Sequence, residues 1–376
     1  MPYLHNVWYA TAWADELGKA TGELGAATGE LGAATSLLAR TVAEQPLVLF
    51  RRGDGSVTAL QDRCPHRFAP LSMGQRTQGG IRCGYHGLEF GASGACIANP
   101  HGPLVSSLRV RAYPTVERYG MIWVWLGEPD GADADLIPDM SFVSRVPATA
   151  FSKGYLPTAA SHLLLTDNIL DLSHADYLHP ETLGGGAMTR ARARVEEREH
   201  SVHVTWESFD ETPIPIFRPL LPTPDTRVDM WTEVEWFPNG VMILHTGATP
   251  AGKPREEGID TWNAHIMTPE GEARTHYFYC NSRNYLVDDA KFNQLFATGL
   301  RAAFEHEDKP MIEAQQRRVG AVDLLEQHPA LLGIDAASVR VRRILSQMIK
   351  AESSAAAASP AAASTVAVST AAASAP

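Results

Sequence analysis

The sequence predicts an all-β N-terminal domain followed by an α+β domain, an antiparallel sheet packed by helices. Three observations carry this. Residues 37–128 run as short apolar segments broken by turn signals. From about residue 150 onward, strand-like pieces alternate with helical ones. Between them EPDGADADLIP, acidic and holding Pro and Gly, reads as an interdomain linker. The expected domains are 1–130 and 131–350, with a tail at 351–376.

In chain order, residues 16–36 come first. They repeat ELGKATG, ELGAATG, ELGAATS, three Ala/Gly/Thr-rich heptads. Their glycines and missing apolar seam argue against a coiled coil and for a loop insertion. Next, RRGDGS between two apolar runs signals a hairpin, and LRVRAYPTVERYG and MIWVWLG continue the β pattern. In the second domain HSVHVTWESFD, TEVEWFPNGVMILHTG, GIDTWNAHIMTP and ARTHYFYCNSRNY read as strands. SHLLLTDNILDLSHADYL, DAKFNQLFATGLRAAFEHED and PMIEAQQRRVGAVDLLEQ read as helices. The closing Ala/Ser/Pro run has too little to bury and reads as disordered.

Composition excludes several classes. The 376 residues, 44% hydrophobic, suffice for a core in each domain. A net charge of −11 argues against nucleic acid as partner. No eighteen-residue apolar run suggests a membrane span, and the N-terminus has no leader-like pattern, so a cytoplasmic enzyme is expected. Four cysteines are too few for a disulfide scaffold. Arg63, Arg67, Arg76 and Arg82 form either a docking collar for an acidic partner or ordinary solvated surface.

The densest chemistry lies in CPHRFAPLSMGQRTQGGIRCGYHG, residues 64–87. It holds Cys-x-His, sixteen residues, then Cys-x-x-His. A zinc finger usually pairs its cysteines in one knuckle and its histidines in the other. Here each knuckle gives one of each, which suits a [2Fe–2S] cluster with two thiolates on one iron and two imidazoles on the other. Zinc remains the alternative at this point. A second cluster lies in TDNILDLSHADYLHP. On a helix Asn168, Asp171 and His174 would share one face, while His179 lies about 140° around from His174. Both histidines can meet one metal only if a π-bulge intervenes or the helix ends between them, and Pro180 favours an end. A carboxylate to complete a facial triad could come from Glu305, Glu307, Asp308 or Glu313.

CPHRFAPLS…CGYHGLEF resembles the Rieske signature, and Asn-x-x-Asp-x-x-His-x-x-x-x-His resembles the motif of Rieske non-heme iron oxygenases. NVWYATAW, YGMIWVWLGEPDGADADLIPD, SRN and EDKPMIEAQQ follow in the order of the vanillate and dicamba O-demethylases and toluenesulfonate methyl-monooxygenase. The resemblance spans residues 3–350 apart from the heptads. It implies a helix-grip-like second domain and a cluster on Cys64, His66, Cys83 and His86. It also implies Fe(II) on His174, His179 and Asp308, with Asn168 nearby. Asp171 would link His174 to His86 of a neighbouring subunit in a homotrimer. Electrons would come from NAD(P)H through a flavin/iron–sulfur reductase, with or without a ferredoxin, and O₂ would be the co-substrate. The implied reaction is O-demethylation or methyl hydroxylation of a substituted aromatic acid. Ring dihydroxylation, N-demethylation, or an electron-transfer protein with a non-catalytic ligand domain are the alternatives. His245 and His276, on predicted strands, are the candidate substrate contacts.

Overall fold

A computed structural model describes residues 3–18 and 36–358 of the chain. The heptads, apart from their first and last residues, and the end of the tail lie outside the described residues. Three antiparallel sheets build the N-terminal domain. One joins Trp8–Trp13, Met121–Trp125 and Thr115–Arg118, and another joins Leu38–Val42, Gln45–Arg51, Val57–Gln61 and Ala112–Tyr113. The third, Gln75–Arg76, Gly80–Arg82, Glu89–Gly91 and Cys96–Ala98, adjoins the Cys/His segment. The RRGDGS hairpin forms as expected. Asp54 accepts from the Ser56 N–H at 3.0 Å, and Gly55 takes a left-handed φ of 87°.

The second domain is a seven-stranded antiparallel sheet. Its order is Phe151–Thr158, Arg274–Arg283, Ile259–Gly271, Val241–Pro250, Val228–Trp236, Val202–Glu211 and Arg194–Glu197. Sequence pattern missed the first of these, an edge strand whose Gly154 and Pro157 weaken the β signal and are tolerated at an edge. Three other expectations need correction. The linker is pinned: the Trp8 and Trp125 indoles donate to the Asp133 and Glu128 carbonyls at 2.7 and 2.9 Å. PMIEAQQRRVGAVDLLEQ stops being helical at Val319, because Gly320 adopts φ 72°. The final helix, Ala336–Ala358, runs eight residues into the stretch expected to be disordered. Alanine is the strongest helix former, so an Ala-rich run can extend a helix that packing has already nucleated.

Strand parity sorts the core. Met242, Leu244, Met267, Tyr277 and Tyr279 pack with the helices, whereas their neighbours Val241, Ala264, Ile266, Phe278 and Cys280 pack against Trp8, Trp13 and Trp123 of the N-terminal domain. Successive side chains point to opposite faces, so both faces of this sheet are covered. The seam between domains is also hydrogen-bonded. Ala43 and Glu44 N–H groups donate to Pro269 and Glu270 carbonyls at 2.7 and 3.0 Å.

On the helical side, Arg342 of the final helix is only 6% exposed and bonds Asp167 at 2.5 Å and Asp323 at 2.6 Å. Asp167 belongs to the helix His162–Leu170, so this ion pair fixes that helix against the chain's end. Removing one partner strands a buried charge. Arg342→Ala should cost about 3–5 kcal/mol, read as a lower urea midpoint. Arg190→Ala, at the exposed Glu211 pair, should cost under about 1 kcal/mol.

Three histidines pushed down to about 4, His162, His265 and His276, add a pH dependence. Burial pushes His162 down to about 4, with Arg342 adding to it, and burial likewise pushes His276 down to about 4, with Arg40 adding to it. Unfolded histidine takes up a proton near pH 6.5, whereas these wait until about 4. Their contribution is therefore complete above about pH 6.5 and drains as pH falls toward 4. The denaturation midpoint should drop between pH 7 and pH 5, and His276→Gln should flatten that slope.

Candidate functional site

Two knuckles of matching design hold the first cluster. In each, the cysteine N–H donates to the carbonyl five residues on (Cys64 to Ala69, 2.9 Å; Cys83 to Leu88, 2.8 Å). The residue four on donates back to the cysteine carbonyl (Phe68 to Cys64, 2.8 Å; Gly87 to Cys83, 3.1 Å). Both returns need left-handed backbone, φ 59° at Phe68 and 73° at Gly87. Cys64 and Cys83 are buried free thiols within hydrogen-bonding contact. The His66 and His86 rings lie 4.5 Å apart on the outer side. His101 Nε2–H donates to the His86 carbonyl at 2.9 Å. Thiols inward and imidazoles outward fit a cluster whose exposed iron is held by nitrogen. Slight desolvation, then His66, Arg67 and His101, lower the pKa of His86 and so favour the neutral ring that ligation needs. The arginine collar is thinner than expected, because Arg76 turns inward to the Gly80 carbonyl at 2.6 Å and Arg82 pairs with Glu89 at 3.2 Å.

The second cluster rests on two helix faults. The helix His162–Leu170 starts at Ser161, whose hydroxyl caps Leu163 N–H at 3.3 Å. It ends at Asp171, which is extended (φ −123°, ψ 91°) and caps a new turn through the Ser173 N–H at 3.0 Å. Asn168, Asp171 and His174 therefore do not share one continuous helix face, as the spacing suggested. A short helix Ala175–Leu178 then ends at His179, before Pro180, as expected. The π-turn lies elsewhere, at Ala303–Asp308, where Lys309 N–H donates to the Phe304 carbonyl. Pro310 accounts for it: it has no N–H, and its ring would clash with the carbonyl of residue 306. The widened turn swings Glu307 and Asp308 toward His179 together.

These faults bring His174, His179 and Asp308 together, with ligand atoms within 4.8 Å of one another. His174 Nδ1–H donates to the Asp171 carbonyl and His179 Nδ1–H to Glu307 Oε2, both at 2.5 Å. Each Nε2 thereby faces Asp308, at 3.4 and 3.1 Å, and would offer its lone pair to a metal bound between them. Asn168 Nδ2 sits among them, 3.2 Å from Asp308 Oδ1. Burial pushes the Asp308 carboxyl up, but His174 and His179 outweigh it and hold the group down at about 2. It stays an anion, as a ligand must. Two imidazoles and a carboxylate suit non-heme Fe(II) and leave positions open. Glu307, one of the four candidate triad carboxylates, is instead the outer partner of His179. The EDKP sequence carried the signal, since a proline there predicts the phase shift. Asp171 Oδ2 meets no donor among the described residues.

The triad opens onto a cavity of about 140 Å³, walled by Leu172, Met188, Trp206, Ile216, Leu244 and Phe304 among others. Neither strand histidine chosen from sequence reaches it. His276 has the parity of Phe278 and faces the N-terminal domain, where Tyr155 Oη and the Thr41 carbonyl hold its two nitrogens at 2.8 and 2.9 Å. His245 has the parity of Val241, stacks on Trp262 at 3.9 Å and bonds Asp260 at 2.5 Å. The missed residue is His265, on the Met267 side of the sheet, which lines the cavity.

Comparison with known proteins settles the family. Residues 26–114 match the Rieske [2Fe-2S] domain, and residues 158–351 match the vanillate O-demethylase oxygenase C-terminal domain. The chain belongs to the vanillate O-demethylase type of Rieske oxygenases. It is 36% identical to the oxygenase component of dicamba O-demethylase from Stenotrophomonas maltophilia, over 94% of this chain and all of that one. Identity is also 36% to the oxygenase component of chloroacetanilide N-alkylformylase from Rhizorhabdus wittichii, over 93% and 97% of the two chains. The crystal structure of dicamba monooxygenase with non-heme iron and dicamba superposes with a TM-score of 0.77 at 34% identity, covering 94% of this chain and all of that one. This oxygenase thus carries a Rieske [2Fe-2S] centre and a non-heme iron site. No helix among the described residues is long and apolar enough to cross a membrane.

His245→Gln tests the parity argument. It should lower the melting temperature, since a hydrogen bond to a charged group contributes about 1.5–3 kcal/mol, while KM for a bound aromatic stays unchanged.

Proposed function

We propose that this oxygenase component hydroxylates a methyl or alkyl carbon attached to an aromatic substrate, with O-demethylation as the main outcome. The observation that carries the proposal is the His174–His179–Asp308 face opening directly onto an apolar cavity. When bound, the two iron groups supply one-electron transfer and O₂ activation. In balance, an aryl methyl ether, O₂, NAD(P)H and a proton become a phenol, formaldehyde, water and NAD(P)⁺. NAD(P)H would act through a separate reductase, as the words "oxygenase component" in the relatives' names imply.

The chain's own residues divide the work. Cys64, His66, Cys83 and His86 would hold the cluster, with both imidazoles at the surface. His174, His179 and Asp308 would hold the second iron, with Glu307 and the Asp171 carbonyl orienting the two rings. The apolar walls keep bulk water from the reacting carbon, and Asn168 restrains Asp308 from one side.

A homotrimer is supported by the surface beside the cluster. Phe68 is 60% exposed and Tyr85 62%, flanking His66 and His86, and Tyr177, between His174 and His179, is 76% exposed. Docking one copy's cluster rim over another's Asp171 would cover these side chains and give Asp171 Oδ2 a donor, the His86 ring. The same hydroxylation next to nitrogen would give N-dealkylation. That second reading draws on the N-alkylformylase relative, which is as similar as the demethylase.

A single turnover of chemically reduced protein under ¹⁸O₂, with a panel of methoxy-, methyl- and N-alkyl-arenes, tests the function. Formaldehyde with a matching phenol is expected. An aldehyde with a dealkylated anilide would establish the second reading, and a cis-diol would refute both. Asp171→Asn should retain the cluster's visible spectrum and both irons while turnover stops. Normal turnover would remove Asp171 from the electron path.

A further inference from the structure

The two cluster knuckles are built alike, but their histidines are not held alike. His66 is exposed, and no donor meets its carbonyl among the described residues. His86 is partly buried beside the Tyr85 ring at 3.9 Å, and His101 Nε2–H donates to its carbonyl at 2.9 Å. The difference comes from the short loop 99–103, which contributes no ligand.

That loop is fixed by its own side chain. Asn99 Oδ1 accepts from the His101 N–H at 2.9 Å, and Asn99 Nδ2–H donates to the Pro103 carbonyl at 3.0 Å. The loop follows the strand Cys96–Ala98, which pairs with Glu89–Gly91, the strand just after His86. One sheet therefore sets the position of both the loop and the ligand. Pro100 completes the fit, since a Cβ on Gly87 would lie 3.4 Å from its ring. Gly87 is the left-handed residue that turns the knuckle, so the loop seats on the turn itself.

This contact does more than fill space. A histidine ligand whose backbone is pinned has one starting point for its ring, and outer partners of this kind orient a ligand and stiffen its site. Water can satisfy an exposed carbonyl, yet it ties that carbonyl to nothing, so the loop and the ligand would then move separately. The N–H also brings the positive end of a dipole to the ligand's backbone, which favours the reduced, more negative state.

We propose that His101 is a positioning residue for the [2Fe–2S] centre. It clamps the second knuckle through the His86 carbonyl, holds that imidazole in one geometry while an electron is gained and lost, and raises the reduction potential. His66 has no such restraint, so the clamp falls on the ring that the trimer would place against another copy's Asp171.

Midpoint potentials of the cluster-loaded wild type, His101→Ala and His101→Gln, followed by EPR, test this. His101→Ala should shift the oxidised-to-reduced ratio about threefold toward the oxidised form, a fall of about 28 mV for one electron at about 59 mV per decade. His101→Gln, whose amide can still donate, should recover most of that shift. A wild-type potential in His101→Ala, or an equal fall in His101→Gln, overturns the proposal. Should His101→Ala take up no cluster, Asn99→Ala decides in its place, because it frees the loop and keeps the imidazole. A fall in its potential supports the clamp, and a wild-type value overturns it. The proposal takes its electron exit from the oxygenase reading above, but its readout involves neither substrate nor O₂. A potential that shifts as expected in a protein that dealkylates nothing would sink that reading and leave the clamp standing.

Discussion

The cavity and the seam between the domains depend on one sheet being buried on both faces. Seven antiparallel strands carry two cores at once, one shared with the helices and one with the N-terminal domain. Period-two alternation assigns each side chain to one core or the other, and a shift of one residue reverses the assignment. The cavity's sheet wall and the domain seam are two outcomes of that sorting.

The helices contribute precision through their irregularities. A regular helix places side chains every 100° or so, which suits a packing stripe and not a convergent set of ligands. The break at Asp171 and the π-turn at 303–308 each change the phase once. Together they bring two histidines from one segment and a carboxylate from another to a common point. The same faults orient the ligands: the backbone carbonyl at the break takes one ring N–H, and the carboxylate before the metal-facing aspartate takes the other.

Motif-bearing loops were legible in the sequence because their spacing is itself the chemistry. Cys64 and Cys83 lie in contact and the His66 and His86 rings 4.5 Å apart, while ligand atoms of His174, His179 and Asp308 come within 4.8 Å of one another. The two domains were legible too, from turn residues and alternation. What was not legible is parity. His245, His265 and His276 all sit on apolar strands, and nothing local tells which face will meet the cavity. That depends on which partner covers which side, a tertiary fact. Edge strand Phe151–Thr158 and the last helix escaped for a related reason, since neighbours override weak local preference in both.

The π-turn has a consequence for how this protein can vary. It holds one residue more than an α-helix would need to join Ala290–Ala302 to Lys309–Val319. Losing any single residue there would turn the helix that follows by about 100° relative to the one before it. It would also rotate Asp308 away from the two histidines. Substitutions in the turn can be absorbed by side chains, whereas a change in its length cannot. Lineages that keep this chemistry should therefore drift in composition at residues 303–306 while keeping Glu307, Asp308 and the length of the turn, and a one-codon deletion would leave a sound fold with an empty centre.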